Sequence, residues 1–286
     1  MDRRAFVATA GGTLATLAGC VGSRPPAGDS VTPSPPSARS PDDTPTATAA
    51  PTPTADVTVE SLELQYGVVT PNSPDSIGIS HPETPYLVSS VRVEGALPWE
   101  AFGLVAGDVR YSPTRLDRLY RTTWGDDHWY ERGRSDGLVL FEAPTPSESL
   151  RLSWPGGEHP VDDSLLARLR APPPQLSATL DVPDRHTGVE APPVDVTVTN
   201  DGAVDGRFLG ALNRVGPLVA YTPVARLSRL VPAGERVTVS VADSWGGRPG
   251  DERLGDDEPD VTYLLNYAGG EDSAGIRLAE ADAGSG

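Results

Sequence analysis

Alternation of apolar and polar residues is the dominant pattern over the last four-fifths of this chain. Side chains of a β-strand point to opposite faces in turn, so a strand with one buried face shows a period of two residues. Val57-Thr-Val59-Glu-Ser-Leu62-Glu-Leu64 and Val194-Asp-Val196-Thr-Val198 show this period. Proline and glycine clusters separate such stretches. The pattern therefore predicts many short strands rather than helices.

A first group of strands follows residue 56. The predicted strands are 57–66, 76–79, 86–93, 102–105, 109–111, 137–141 and 150–154. Seven or so short strands in about 100 residues are typical of an antiparallel β-sandwich. Asp162-Asp-Ser-Leu-Leu-Ala-Arg-Leu169 predicts a short helix with an acidic N-cap, and Pro172–Pro174 end it. We therefore predict a first β-sandwich domain with a short C-terminal helix over residues 56–171.

A second group of strands follows the three prolines. The predicted strands are 176–182, 194–200, 207–209, 237–241, 261–265 and 275–278. Asn200-Asp-Gly202 predicts a turn, and Leu230 to Glu235 predicts another before Val237. We expect a second β-sandwich domain over 172–286 that ends in a disordered acidic tail. The predicted fold class is all-β, with two Ig-like antiparallel β-sandwiches.

Both groups resemble known extracellular families. The first group shows Tyr86-Leu-Val, Val91-Arg-Val93, Phe102-Gly-Leu104, Arg110-Tyr111, Gly137-Leu-Val-Leu-Phe141-Glu-Ala-Pro144 and Leu150-Arg-Leu152. In this order the segments, over residues 57–155, resemble the extracellular Ig-like domain of the DUF4352 type. Val196-x-Val198-x-Asn200-x-Gly202, with Pro232-Ala-Gly234-Glu235 before a strand, resembles the adhesion-type Ig modules of the CARDB class over residues 176–280. The second resemblance implies no catalytic residues.

Residues 1–20 have the composition of an export signal. Arg3-Arg4-x-Phe6 resembles the twin-arginine (Tat) consensus, whose machinery exports folded proteins. The uncharged run from Ala5 to Gly19 is shorter than the roughly 20 residues of a membrane-spanning helix. Leu17-Ala18-Gly19-Cys20 resembles a lipobox, which implies that Cys20 carries two lipid chains after cleavage. Two chains give stable membrane attachment. A buried N-terminal helix with a chance cysteine is the alternative.

Residues 21–55 are rich in proline, threonine and serine. Such a composition offers almost no side chains that could form a core, and its prolines favour an extended chain. We predict a disordered linker that lifts the sandwiches off the membrane.

Charge and cysteine content narrow the class of protein further. The chain has 40 Asp and Glu against 23 basic residues, all of them arginine, for a net charge of −17. An acidic chain without lysine resembles the proteins of halophilic archaea, where surface carboxylates keep a protein soluble. Nucleic acid is excluded as a partner, because phosphates would be repelled. With Cys20 as the single cysteine, the fold has no disulfide and depends on its hydrophobic cores.

We find no motif for catalysis, metal or cofactor binding. His81, His128, His159 and His186 lie in separate segments without the spacing of a zinc site. The chain lacks the Gly-x-Ser-x-Gly, Walker and His-Glu-x-x-His motifs. We therefore predict no catalytic residue, no metal and no cofactor, and a protein that is not an enzyme.

The long segment between the strands at 109–111 and 137–141 is a candidate binding loop. Its aromatic and basic residues belong to types that are enriched in interface hot spots. The candidate residues are Arg115, Arg121, Trp124, His128, Trp129 and Tyr130. The alternative, which the length of the segment favours, is a loop whose aromatic residues cover the open end of the sandwich.

An acidic loop, 251–260, is a weak candidate for calcium. Its candidate ligands are Asp251, Asp256, Asp257 and Asp260. Their spacing is not that of an EF-hand, and acidic loops are ordinary in so acidic a chain. The favoured interpretation is a solvated loop.

Together these patterns predict a lipid-anchored protein on the extracellular face of an archaeal cell membrane. We expect a binding or structural role, with membrane lipid as one partner through Cys20 and a surface protein or a glycan as another. Two alternatives stay open from the residues. One is a substrate-capturing lipoprotein associated with transport, and the other is a hydrolase with an unrecognised site.

Overall fold

Antiparallel β-strands account for most of the described part of the chain, and they form two sandwiches that follow one another in sequence. The structure is a computed structural model. It describes residues 55–73, 75–116, 127–131, 133–144, 149–186, 192–216, 221–243 and 258–278, which all belong to one compact unit, Pro51–Gly286. The predicted all-β sandwich fold is confirmed. None of the described helices is long and apolar enough to cross a membrane.

The first sandwich consists of a three-stranded and a four-stranded sheet. Its strands are β1 (Asp56–Ser73), β2 (Ser76–Glu94), β3 (Gly103–Ala106), β4 (Val109–Tyr111), β5 (Asp136–Glu142), β6 (Leu150–Trp154) and β7 (Gly157–Pro160). The sheets have the orders β1-β2-β5 and β4-β3-β6-β7. Side chains that alternate along each strand fill the space between them, including the fully buried Leu87, Phe102 and Phe141. A 3-10 turn, Trp99–Ala101, precedes β3.

Helix α1 (Asp163–Arg170) closes the first sandwich. The Asp162 side chain accepts a 2.7 Å hydrogen bond from the Leu165 backbone N–H, which satisfies one of the N–H groups that a helix start leaves without a partner. Leu165 and Leu166 pack into the first core. The helix ends at Arg170, just before the three prolines, whose preceding residues disfavour helical backbone angles.

The second sandwich consists of a three-stranded and a five-stranded sheet. Its strands are β8 (Leu176–Asp181), β9 (Arg185–His186), β10 (Pro193–Asn200), β11 (Gly206–Val215), β12 (Thr222–Val231), β13 (Arg236–Ala242), β14 (Val261–Tyr267) and β15 (Gly270–Leu278). The sheets have the orders β13-β10-β8 and β12-β11-β14-β15-β9. Pairing among the described strands is antiparallel except for the short parallel contact of β9 with β15.

The core of the second sandwich follows the predicted alternation. Val194, Val196 and Val198 on β10 are all fully buried. At the end of β10 the Asn200 side chain donates to the carbonyls of Val204 and Val231 and accepts from the backbone of Gly202, so it holds the predicted turn in place. An interior amide that uses its hydrogen-bonding groups in this way fixes the chain path without an unsatisfied polar group.

Strands β1 and β2 form one long hairpin, where the sequence pattern predicts three shorter strands. The predicted strands at 76–79 and 86–93 join into β2, because a bulge accommodates Pro82 between them and Pro85 pairs in the ladder. Tyr66 pairs with Pro85 and Val68 pairs with Ser80, so residues 81–84 of β2 lie opposite Gly67 alone. Gly67 has φ +75°, and a Cβ there would lie 2.7 Å from the Ile79 side chain and 2.9 Å from the Ser80 carbonyl oxygen.

Candidate functional site

Trp129 and Tyr130 of the candidate binding loop are buried against the first sandwich, Tyr130 in its core and Trp129 in a separate cluster on the β1-β2-β5 sheet. Trp129 is 5% exposed and packs against Val68 and Leu140, and Tyr130 is 1% exposed. The Tyr130 hydroxyl donates a 2.7 Å hydrogen bond to the Leu97 carbonyl, and its ring meets Phe102 edge to face. These two side chains therefore leave almost no surface for a partner.

The charged residues of the same loop are also used within the chain. Arg115 donates a 2.7 Å hydrogen bond to the Tyr130 carbonyl and pairs with Glu131 at 3.1 Å, while its guanidinium lies 4.3 Å from the centre of the Trp99 ring. His128 Nε2 lies 3.5 Å from an oxygen of Asp136. Arg121 and Trp124 lie outside the described residues. The structure thus brings together four of the six candidates, as packing and tethering contacts.

The same segment contacts the second sandwich. The carboxylate of Asp127 lies 2.7 Å from the guanidinium of Arg226 on β12, with both side chains about three-quarters buried. This ion pair therefore ties the segment to the second sandwich as well as to the first.

Of the candidate calcium ligands, only Asp260 lies within the described residues. Its side chain is buried, and one carboxylate oxygen accepts a 2.8 Å hydrogen bond from the backbone of Leu278. Among the described residues, no group of three or more His, Cys, Asp or Glu is close enough together to hold a metal ion. Asp251, Asp256 and Asp257 lie outside the described residues, as do Arg3, Arg4 and Cys20 of the predicted signal and anchor.

A different region, which the sequence did not single out, joins the two sandwiches. The end of the β1–β2 hairpin, which we call the hairpin tip (residues 68–73 and 75–80), packs against β11 of the second sandwich. Val69 and Ile77 of the tip form a small buried cluster with Leu209 and Ala211. Because alternate residues of β11, such as Phe208 and Leu212, already fill the second core, this strand is buried on both faces.

Hydrogen bonds and an ion pair complete the contact. The Asn213 amide accepts from the Ile77 backbone N–H at 2.8 Å and donates to the Ile77 carbonyl at 2.9 Å. Arg207 pairs with Glu63 at 2.7 Å and also donates to Ser228. Burial lowers the pKa of the Arg207 guanidinium, and the Glu63 carboxylate opposes that shift. Apart from the buried Arg207 Nε, which has no partner among the described residues, these polar groups are paired, and the pairs across the contact fix its register.

A groove of about 730 Å³ lies beside the hairpin tip, over the outer face of β14 and β15. Asn72, Ser73 and Ser76 of the tip line one wall. The floor comes from β14 and β15, where Asn266 pairs directly with Glu271, and Leu264 with Ser273. Directly paired residues of antiparallel strands present neighbouring side chains on one face. Amide, hydroxyl and carboxylate side chains from two separate parts of the chain therefore line the groove.

A smaller cavity of about 160 Å³ lies where the bulge of the hairpin meets the second sandwich. Its walls are mostly apolar and include Tyr66, Pro174, Phe208 and Tyr267. Burial raises the pKa of the Tyr66 hydroxyl. This volume holds a single ring, well below the several hundred Å³ of ordinary ligand sites.

One end of the second core contains a buried polar cluster. Asp243 lies 3.1 Å from Arg214 and accepts a 2.9 Å hydrogen bond from the Tyr263 hydroxyl. Burial, followed by the negative charge of Asp243, raises the pKa of the Tyr263 hydroxyl well above its ordinary value. All three side chains are buried, so the cluster fixes one end of the core and presents no surface to a ligand.

Comparison with known proteins identifies no family. No family model matches the chain, and no curated protein matches it. Among solved structures, a β-glucosidase from Listeria innocua in complex with isofagomine is similar over 37% of this chain and 16% of its own, with 13% identity and a TM-score of 0.28. DesR, a β-glucosidase from Streptomyces venezuelae in complex with D-glucose, matches over 37% of this chain and 15% of its own, with 18% identity and a TM-score of 0.27.

Likenesses of this extent carry no functional argument, and this chain spans less than a fifth of either enzyme. The resemblances to the DUF4352 and CARDB types stay predictions.

The groove was missed because its residues are polar and far apart in sequence. Ile77 and Asn213, which place its two walls beside each other, are separated by 136 positions. One sequence feature did point to the contact. Phe208-Leu-Gly-Ala-Leu212 is a continuous apolar run, and such a run in a strand indicates burial on both faces. The strand predicted at 207–209 covers only the first part of this run.

Proposed function

We propose that this chain is a membrane-anchored extracellular lipoprotein of a halophilic archaeal cell surface, with a binding or structural role. The observation that carries the anchoring is Leu17-Ala18-Gly19-Cys20, which follows a twin-arginine pair and contains the only cysteine of the chain. The acidic, lysine-free composition supports the halophilic setting. We assign the protein no catalytic step.

The contact between the two sandwiches supports a binding role. The hairpin tip and β11 leave an open groove between them and the outer face of β14 and β15, and this groove is of a size that ligand sites commonly have. A surface protein or a glycan is the partner that we propose. Groove formation from both sandwiches favours binding over a purely structural role.

Mass spectrometry of the protein purified from haloarchaeal membranes tests the anchor. We expect the mature chain to begin at Cys20 and to carry the mass of two lipid chains, and the Cys20→Ser variant to lack that mass. Arg3→Lys with Arg4→Lys is expected to keep the precursor inside the cell, because the export machinery recognises the arginine pair. An N-terminus elsewhere, or an unmodified Cys20 in membrane-bound protein, would contradict the proposal.

A further inference from the structure

We propose that the groove beside the hairpin tip binds an uncharged saccharide chain. The inference rests on the binding role proposed above and names the ligand class of the groove. It follows from the size and access of the groove and from three properties of its described lining residues: their unused hydrogen-bonding groups, their charge, and one exposed aromatic ring.

The groove has the capacity and openness for several sugar units. Its volume of about 730 Å³ lies within the range of ordinary ligand sites. Asn72, Glu271 and Ser273 are exposed and Asn266 is half-buried, so a ligand reaches them without any rearrangement of the fold.

Polar groups of the groove have no partner within the described part of the chain. No described residue forms a hydrogen bond or ion pair with the side chains of Asn72, Asn266 or Glu271. Each amide offers two donors and an acceptor, and the carboxylate offers acceptors alone. Because Asn266 and Glu271 are direct cross-strand neighbours, they present both donor and acceptor atoms to one ligand. Adjacent hydroxyls of a sugar ring, each both donor and acceptor, match such a pair.

The charge of the groove excludes anionic ligands. Its charged lining residues are Glu271 and Asp272, and none of its described lining residues is basic. The Asp272 oxygens already accept hydrogen bonds from the backbone N–H groups of Leu180 and Ser273, both at 2.8 Å. Glu271 is therefore the one carboxylate left to a ligand, and the remaining groups are neutral amides and hydroxyls.

The surroundings of the groove also disfavour an extended peptide. Strand β14 is paired on both sides, with β11 and β15, so a peptide cannot join the sheet along β14. The Ile77 backbone at the tip is already bonded to Asn213. Tyr221, whose side chain is 42% exposed, lines the groove and offers an aromatic face to the apolar side of a sugar ring.

Titration calorimetry and saturation-transfer NMR on the full chain carrying Cys20→Ser test the proposal. The neutral probes are maltohexaose, cellohexaose and mannohexaose, and the competing probes are a hyaluronan hexasaccharide and a polar hexapeptide. We expect at least one neutral probe to bind with a Kd of about 1 mM or tighter. Its affinity should change less than about twofold with salt, because neutral hydrogen-bonding groups are not screened.

Variants locate the binding. We expect Asn266→Ala with Glu271→Ala to weaken binding at least about tenfold, since two bonded groups are lost. Asn72→Ala on the opposite wall is an independent variant with an expected loss of about threefold. The matched control is Asp195→Ala with Ser240→Ala, a hydrogen-bonded cross-strand pair on the outer face of the other sheet, which should leave affinity unchanged.

The proposal is overturned if no neutral probe binds, if the groove variants bind as well as the control, or if the acidic oligosaccharide or the peptide binds more tightly. Membrane anchoring is measured separately, by the mass of the N-terminal residue. Failure of saccharide binding therefore leaves the anchor standing, and an unlipidated Cys20 leaves the saccharide result standing.

Discussion

One half of the outer face of the five-stranded sheet is buried, and the other half is open to solvent. On β11 the outward residues Leu209, Ala211 and Asn213 are buried under the hairpin tip, and Asn213 uses both ends of its amide there. On β14 and β15 the residues of the same face, Asn266 and Glu271 among them, are left open. The covered half of the face carries apolar residues and a fully bonded amide, whereas the open half carries polar groups that are accessible to solvent.

The largest effect is expected from a charge placed in the covered half. Leu209→Asp puts a carboxylate into the cluster with Val69 and Ile77, whose described members are all apolar. We expect the free energy of unfolding to fall by about 4 kcal/mol or more, because an unpaired charge is buried. Denaturant unfolding measures the loss.

Leu264→Asp is the matched change in the open half. Leu264 lies beside Asn213 in the register of β11 and β14 but borders the groove. There the new carboxylate stays in water, so we expect a loss below about 1 kcal/mol. Equal losses for the two variants would mean that the halves do not differ.

A smaller effect is expected from truncating one asparagine in each half. Asn213→Ala leaves the Ile77 N–H and C=O without partners in a buried contact, at a cost of about 2–3 kcal/mol. Asn266→Ala removes an amide that bonds to no described residue, and should change stability by less than about 0.5 kcal/mol. Thermal unfolding of both variants under identical salt conditions is the measurement. A costly Asn266→Ala would show that the open half is also structural.

The smallest effect concerns the N-cap of α1, which belongs to neither half and serves as a reference. Hydrogen bonds from Ser164 and from the Leu165 backbone lower the pKa of Asp162 below its ordinary 3.8. A lowered carboxyl pKa stabilises the fold at pH values above the unfolded pKa, and this contribution is lost as the pH falls through the folded pKa.

We therefore expect Asp162→Ala to cost about 1 kcal/mol at neutral pH. The difference from the unaltered chain should disappear in acid below pH 3.8, the ordinary value. Unfolding curves across that range are the check. A pH-independent difference would place the loss in packing rather than in the charged cap.

Sequence patterns predicted those elements best that depend on residues close together in the chain. The spacing of Val194, Val196 and Val198 predicts β10, and Asp162 predicts the start of α1. Strand β12 and the length of β11 were missed, since Thr222–Val231 lacks a clear alternation and β11 is apolar on both faces. The candidate site was out of reach, because it depends on Ile77 meeting Asn213, and no local pattern encodes a contact between residues so distant.

Two aromatic residues of the loop before β5 show where residue type alone misleads. Trp129 and Tyr130 are of residue types found at interfaces, yet their burial follows from the need of a long segment to pack on something. Residue type alone therefore predicts a recognition site even where the side chains are buried within the fold. The proposed binding site rests instead on polar groups that bond to no described residue, such as Asn266.

The length of β1 has a mechanical consequence. This strand runs without interruption from Asp56 to Ser73 at the hairpin tip. For a chain anchored at Cys20, a pull from a ligand held over β14 passes through the tip contact into β1 and then straight along its backbone to the N-terminal segment. Covalent bonds and strand pairs loaded along their length carry this force.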